Sequence, residues 1–155
     1  MRATIILVLA VVLGASGSAR AADAPEQILV LPDAIAWKPG PPSIPAGAQI
    51  AVLRGDPAKA GPFTVRVRFP DGYRLPPHTH PSEERATVLQ GALVVGFGEK
   101  WGEGQRLAMP AGSFRVTPPG VPHYLEARGE TIFQVDGIGP VSVTYVDPAD
   151  DPRKR

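Results

Sequence analysis

The chain has 155 residues, of which 43% are hydrophobic, and its formal net charge is +1. This length suits one domain with an ordinary core, and the balanced charge argues against a nucleic-acid partner or an anionic membrane surface. Because the chain has no cysteine, its stability must come from apolar packing and any bound metal rather than from disulfides.

Residues 1–21 have the pattern of a secretory signal peptide. Arg2 is followed by a largely apolar run over residues 3–14, and Ala19 and Ala21 make a small-x-small cleavage site. The run is shorter than the roughly 20 residues that a helix needs to cross a bilayer. We therefore expect cleavage after Ala21, a periplasmic or secreted protein, and no membrane attachment afterwards.

The rest of the chain shows short apolar segments separated by prolines and glycines. The clearest is residues 63–69, where Phe63, Val65, Val67 and Phe69 alternate with polar residues, as in a half-buried strand. Further strands are predicted at residues 28–31, 49–53, 86–89, 92–97, 105–109, 114–117, 123–127, 131–135 and 141–146. No helical apolar period of useful length follows residue 21. About ten short strands predict an all-β antiparallel sandwich or barrel.

These elements suggest four regions. Residues 1–21 are the signal peptide, and residues 22–47 form an N-terminal arm with an edge strand. Residues 48–147 form the barrel. Residues 148–155 are a charged tail that we expect to be frayed.

Residues 72–91 carry the strongest chemical signal. His78 and His80 are two residues apart, so in a strand both imidazoles leave the same face. Pro81 and Ser82 favour a change of direction that could bring Glu84 back beside them. Together with His123, these side chains offer three nitrogens and one carboxylate oxygen, which suits a divalent transition metal.

Two segments resemble the motifs of the cupin superfamily. The first motif consists of a glycine, five residues, His-x-His, a glutamate and a closing glycine. It is matched by Gly72, His78, His80, Glu84 and Gly91. The second is met at Gly112, Pro118, Gly120 and His123, whereas Ala127 stands where the pattern has asparagine. The spacing to Gly91 favours Glu84 over its neighbour Glu83. The resemblance implies a single-domain, double-sheet jelly-roll barrel that binds one metal through His78, His80, Glu84 and His123.

The resemblance leaves the activity open between two classes. One is a metal-dependent enzyme acting on a small oxygenated molecule, as an oxygenase, isomerase or lyase. The other is a non-catalytic cupin that binds metal or a small ligand. Fold alone does not choose between them.

The identity of the metal and the assembly are further expectations. Without a twin-arginine pair, export before folding would load the metal outside the cytoplasm, where relative affinity favours copper or zinc over manganese or iron. Manganese, iron and nickel are the alternatives. A homodimer that shares edge strands is compatible with the resemblance, since an exposed edge needs covering.

Overall fold

The computed structural model describes residues 27–155, so the predicted signal peptide lies outside the described residues. This part of the chain forms nine strands: β1 (Lys38–Pro39), β2 (Gln49–Arg54), β3 (Gly61–Phe69), β4 (Arg74–Thr79), β5 (Glu84–Phe97), β6 (Arg106–Pro110), β7 (Phe114–Thr117), β8 (His123–Gly139) and β9 (Thr144–Tyr145). The helical elements are 3₁₀ turns at Pro32–Ala34, Pro148–Asp150 and Pro152–Lys154. Between residues 27 and 155, no helix is long and apolar enough to span a bilayer.

The two long strands β5 and β8 organise a curled antiparallel sheet. The order β1-β2-β3-β8-β4-β9 runs across one part of the sheet, and β5 pairs with β6, β7 and β8. Every paired ladder is antiparallel. The prediction of an all-β antiparallel barrel is confirmed.

β5 and β8 are longer than the sequence indicated. Residues 86–89 and 92–97 were expected to be two strands joined by a turn, but both belong to β5. Residues 123–127 and 131–135 likewise belong to β8. Gly91 has a φ of 72°, and the β5–β8 register shifts beside it. This glycine therefore makes a bulge that bends a continuous strand, which explains the false turn signal.

The N-terminal arm contains an edge strand, but not at the predicted place. Residues 28–31 form no strand in the described chain, and a 3₁₀ turn follows at Pro32–Ala34. The edge pairing is made by β1, where Lys38 and Pro39 lie opposite Ile50 and Gln49. The reason is exposure: Leu29 is 84% exposed, so residues 28–31 bury too little apolar surface to hold a strand against the sheet.

The core lies between the inward faces of the curled sheet. Phe63, Val65 and Phe69 are buried, as the alternation in β3 predicts. Phe69 stacks on Tyr73, with ring centroids 4.1 Å apart, and meets Phe133 edge-on at 5.0 Å. Burying each such side chain contributes about 1.5–3 kcal/mol, so this cluster is a main source of stability in a chain without disulfides.

The charged tail is ordered, contrary to the expectation of fraying. The Asp147 carboxylate accepts a hydrogen bond from the Ala149 amide, and Asp151 accepts one from the Arg153 amide. Arg153 also donates to the Val143 carbonyl, at 3.1 Å. Aspartate caps and the prolines that begin both 3₁₀ turns account for this order.

Two tyrosine hydroxyls tie the N-terminal arm to the barrel. Tyr145 donates to the Ser43 carbonyl at 2.8 Å, and Tyr73 donates to the Pro45 carbonyl at 2.6 Å. We expect Tyr145→Phe to cost about 1 kcal/mol of stability, the usual net worth of one hydrogen bond. Hydrogen–deuterium exchange over residues 40–47 should become faster, because the arm loses one of these anchors.

Tyr124→Phe is the matched control for this prediction. The Tyr124 hydroxyl also donates to a backbone carbonyl, that of Glu103 at 3.0 Å, but Glu103 lies in the loop after β5. This variant should leave exchange over residues 40–47 unchanged. Equal exchange in that segment for wild type and Tyr145→Phe would show that the hydroxyl does not anchor the arm.

Candidate metal centre

Strand pairing brings His78 and His123 together. His78 lies near the end of β4 and His123 begins β8, and the two residues are direct partners in the antiparallel ladder. Opposite residues of such a pair present their side chains on the same face at close range. Their ring centroids are 4.3 Å apart, and the two side chains are 1% and 0% exposed.

His80 joins this pair from the residue just after β4. Its ring centroid lies 4.9 Å from that of His78 and 5.3 Å from that of His123. One ring nitrogen from each histidine lies within 4.8 Å of the other two. The structure thus brings together all three histidines that the sequence singled out.

Backbone carbonyls orient the three rings. Nδ1 of His78 lies 2.7 Å from the Pro76 carbonyl oxygen, Nδ1 of His80 2.8 Å from that of Ser142, and Nδ1 of His123 3.1 Å from that of Val121. A carbonyl only accepts, so Nδ1 of each neutral ring carries the hydrogen and Nε2 carries the free lone pair. Metal-binding histidines are usually held in this way, with one ring nitrogen donating to a carbonyl and the other facing the ion.

The Nε2 atoms fit a bound cation. Those of His80 and His123 are buried and have no hydrogen-bond partner among the described residues. An unsatisfied buried acceptor costs about 1–3 kcal/mol, and a metal ion between the rings would remove that cost. The donor set therefore fits a divalent transition metal.

Glu84 lies beside the histidines, whereas Glu83 does not. One oxygen of Glu84 is 3.3 Å from Nε2 of His80, and the other is 4.0 Å from Nε2 of His123. Glu83 points outward and is 3.6 Å from Arg85 in a surface ion pair. Of the two candidates, Glu84 is the one placed to contribute to the centre.

Arg115 is the charged neighbour of Glu84 that the sequence analysis missed. It comes from β7, is 8% exposed, and donates to the Glu84 carboxylate. Thr117 lies directly opposite Glu84 in the β5–β7 ladder, so Arg115, two residues earlier, shares the inward face. An alternating strand is expected to turn its apolar residues inward, but in β7 the apolar residues are exposed and the polar ones are buried. The position of Arg115 is therefore evident only from the strand pairing.

Burial and charge keep the imidazoles of His78 and His123 neutral. Burial, followed by the neighbouring imidazoles, lowers the pKa of His78 well below its usual value of 6.5. Burial, followed by the charge of Arg115, lowers the pKa of His123 to about 3. Neutral imidazole is the metal-binding form, so these rings need not release a proton to bind at neutral pH.

Glu84 stays ionised for a different reason. Its burial would raise the pKa, but the positive charge of Arg115 and the hydrogen bond that Arg115 donates oppose this, and the pKa of Glu84 lies below its usual value. The centre therefore combines the neutral rings of His78 and His123 with one carboxylate.

A cavity of about 420 Å³ reaches this centre. His78, His80 and Glu84 line one part of it. Most of the wall is apolar, and includes Phe63, Val65, Phe69, Leu75, Phe133 and Val135. Ser43 and Ile44 of the N-terminal arm also line it, which was not foreseen because nothing in the sequence indicates where the arm packs.

Ala127, at the position where the second motif has asparagine, is buried in the core at 2% exposure. Its backbone amide donates to the Tyr73 carbonyl at 2.9 Å, and its carbonyl accepts from the Gly72 amide. The departure thus replaces a polar side chain by an apolar one and leaves the histidines in place.

The curled antiparallel sheet and its buried cluster of three histidines agree with the cupin resemblance of the two motifs. The family model described as the ChrR cupin-like domain matches residues 25–141. The chain belongs to this family within the cupin superfamily, as its motifs predicted.

Individual relatives are more distant. A germin-like protein 5-1 from Oryza sativa subsp. japonica is 34% identical over 90 residues, which are 57% of this chain and 40% of the rice protein. The chain thus spans less than half the length of that curated relative.

Solved structures share the fold at low identity. The polyketide cyclase RemF from Streptomyces resistomycificus has a TM-score of 0.68 and 18% identity, covering 83% of this chain and 92% of its own. An acetylacetone dioxygenase from Acinetobacter johnsonii has a TM-score of 0.62 and 20% identity, covering 83% and 82%. At such identities the likeness concerns the fold alone.

Proposed function

We propose that the protein is a metal-dependent enzyme acting on a small oxygenated molecule with an apolar body. The observation that carries this proposal is the cavity of about 420 Å³, whose apolar wall ends at His78, His80 and Glu84. An apolar pocket with a few convergent polar groups is the usual form of a small-molecule site. The names of the cyclase and dioxygenase neighbours agree with such a substrate class.

Each part of the site has a distinct role in this proposal. His78, His80 and His123 would hold the ion, with Glu84 as a fourth ligand. Such an ion can polarise a carbonyl or stabilise an enolate oxygen. The phenylalanine and valine side chains of the wall would bind the apolar body of the substrate and exclude water.

The identity of the metal is part of the proposal. Export through residues 1–21 would load the ion outside the cytoplasm, and relative affinity there favours copper or zinc. Elemental analysis of protein purified from its native compartment should show mainly one of these. Mainly manganese or iron would contradict the export argument but not the site.

Metal binding should stabilise the folded protein. Free metal at 1,000 times its dissociation constant adds about 4 kcal/mol to the free energy of unfolding. Thermal denaturation after treatment with a chelator should therefore give a clearly lower Tm, and adding back the metal should restore it. An unchanged Tm, together with metal-free native protein, would contradict the metal site.

Catalysis needs its own test. The metal-restored protein should turn over compounds that combine an apolar body with neighbouring oxygen atoms, such as diketones and hydroxy-aromatic acids. A saturating metal content with no turnover of such compounds would instead support a non-catalytic binding protein.

Export and assembly are separate parts of the proposal. N-terminal sequencing of the mature protein should begin at Ala22, and cell fractionation should place it outside the cytoplasm. Size-exclusion chromatography with light scattering should give the mass of a dimer. An intact Met1 terminus would contradict export, and a monomer mass would contradict the dimer.

A further inference from the structure

Arg115 is an unusual residue to find inside a barrel. Along β7 the exposed positions carry Phe114 and Val116, at 61% and 44% exposure, while Arg115 and Thr117 are buried. Burying an arginine costs several kcal/mol unless its charge is compensated and its hydrogens are bound. The position of Arg115 therefore calls for a specific partner.

The guanidinium divides its hydrogen bonds between two groups. Nη2 donates to Oε1 of Glu84, and Nη1 donates to the Thr117 hydroxyl. The other Glu84 oxygen, Oε2, is the one that lies 3.3 Å from Nε2 of His80. Both carboxylate oxygens thus face the histidine cluster, but Oε1 is held by Arg115 and lies 4.0 Å from Nε2 of His123, whereas Oε2 is closer to the cluster and has no contact with Arg115.

We propose that Arg115 is a positioning residue that holds Oε1 of Glu84 and leaves Oε2 for the metal, while its positive charge restrains the metal affinity of the centre. In the metal-free protein the guanidinium supplies the positive charge that the buried carboxylate needs. When an ion binds, the two cations share one carboxylate and repel each other. This inference rests on the proposed metal site.

The test compares Co²⁺ binding by wild type and Arg115→Gln, measured by competition with a chromophoric chelator. Glutamine can still donate a hydrogen bond to Glu84 but carries no charge. We expect Arg115→Gln to bind Co²⁺ about tenfold more tightly, as expected for removal of a unit positive charge at close range in a partly screened site. Arg115→Lys keeps the charge and should stay within about twofold of wild type.

Thermal denaturation supplies an independent readout. Without metal, Arg115→Gln should have a lower Tm than wild type, because Glu84 is buried without its cation. Excess Co²⁺ should raise the Tm of this variant more than that of wild type, because the ion then compensates the carboxylate. If the ion pair were purely structural, Arg115→Gln would lower the Tm by the same amount with and without Co²⁺, and its Co²⁺ affinity would equal that of wild type.

Arg106→Gln is the matched control. Arg106 of β6 forms an ion pair with Glu126 of β8, on the far side of β5, and contacts neither Glu84 nor a histidine, so its loss should not alter Co²⁺ affinity. If Arg115→Gln does not fold, Arg115→Met supplies the neutral variant, with the same expected direction.

The experiment distinguishes failure of the proposed metal site from failure of the role proposed for Arg115. Wild-type protein that binds no Co²⁺ would overturn the metal site and this inference together. Wild-type protein that binds Co²⁺, with equal or weaker binding by the neutral variant, would overturn only the role of Arg115.

Discussion

Replacing His123 by alanine should abolish high-affinity metal binding while the barrel still folds. His123 is the one histidine supplied by the second motif, and its imidazole meets the other two across the β4–β8 ladder. Substituting a residue that only hydrogen-bonds to a metal ligand already lowers the metal affinity by about 10- to 100-fold. Loss of a ligand should therefore cost more than about 100-fold, measured by chelator competition with Co²⁺ or Zn²⁺.

The metal-free Tm of His123→Ala should stay close to that of wild type. The substitution leaves a small cavity, but it also removes a buried Nε2 that has no partner in the described structure, and the two effects oppose each other. Tyr124→Phe is a suitable control, since Tyr124 is the next residue of β8 and is equally buried. This control should bind metal as wild type does. Undiminished metal binding by His123→Ala would refute the three-histidine centre.

Replacing Gly91 by alanine should destabilise the barrel strongly. Gly91 has a φ of 72°, and a Cβ there would overlap the carbonyl oxygen of Glu130 on the paired strand. The left-handed backbone costs a non-glycine residue about 1–2 kcal/mol, and the overlap adds a further 1–3 kcal/mol or so. We expect a loss of about 3 kcal/mol in the free energy of unfolding, measured by urea denaturation.

Gly72→Ala separates the two causes. Gly72 has nearly the same φ, 70°, but a Cβ there would meet no atom within 4 Å. It should therefore lose only the backbone cost of about 1–2 kcal/mol. Equal losses in the two alanine variants would show that the approach of Glu130 to Gly91 is unimportant.

Much of the fold could be predicted because the local pattern and the tertiary structure agree. In β3 the apolar residues alternate with period two, and the strand buries Phe63, Val65 and Phe69 as that period requires. The motif spacing also anticipated that distant histidines meet. Their meeting follows from one register, with His78 opposite His123.

Other features could not be predicted because long-range pairing decides them. The sequence around Gly91 predicts a turn, but the pairing of β5 with β8 continues past this residue, which therefore forms a bulge. Residues 28–31 are apolar enough for a strand, but the sheet edge is occupied by Lys38 and Pro39 instead. The composition of a segment does not indicate which segment pairs with the edge of the sheet.

The amino-acid sequence by itself determined the all-β class, the cupin motifs and the three histidines, because these depend on residue type and on short-range periodicity. Only the tertiary structure decided that Arg115 lies inside the barrel and holds Glu84, and that the N-terminal arm closes one wall of the cavity. Both depend on which strands pair and on which face each strand turns inward. Strand pairing and strand orientation depend on contacts between residues far apart in the chain, so no local sequence pattern predicts them.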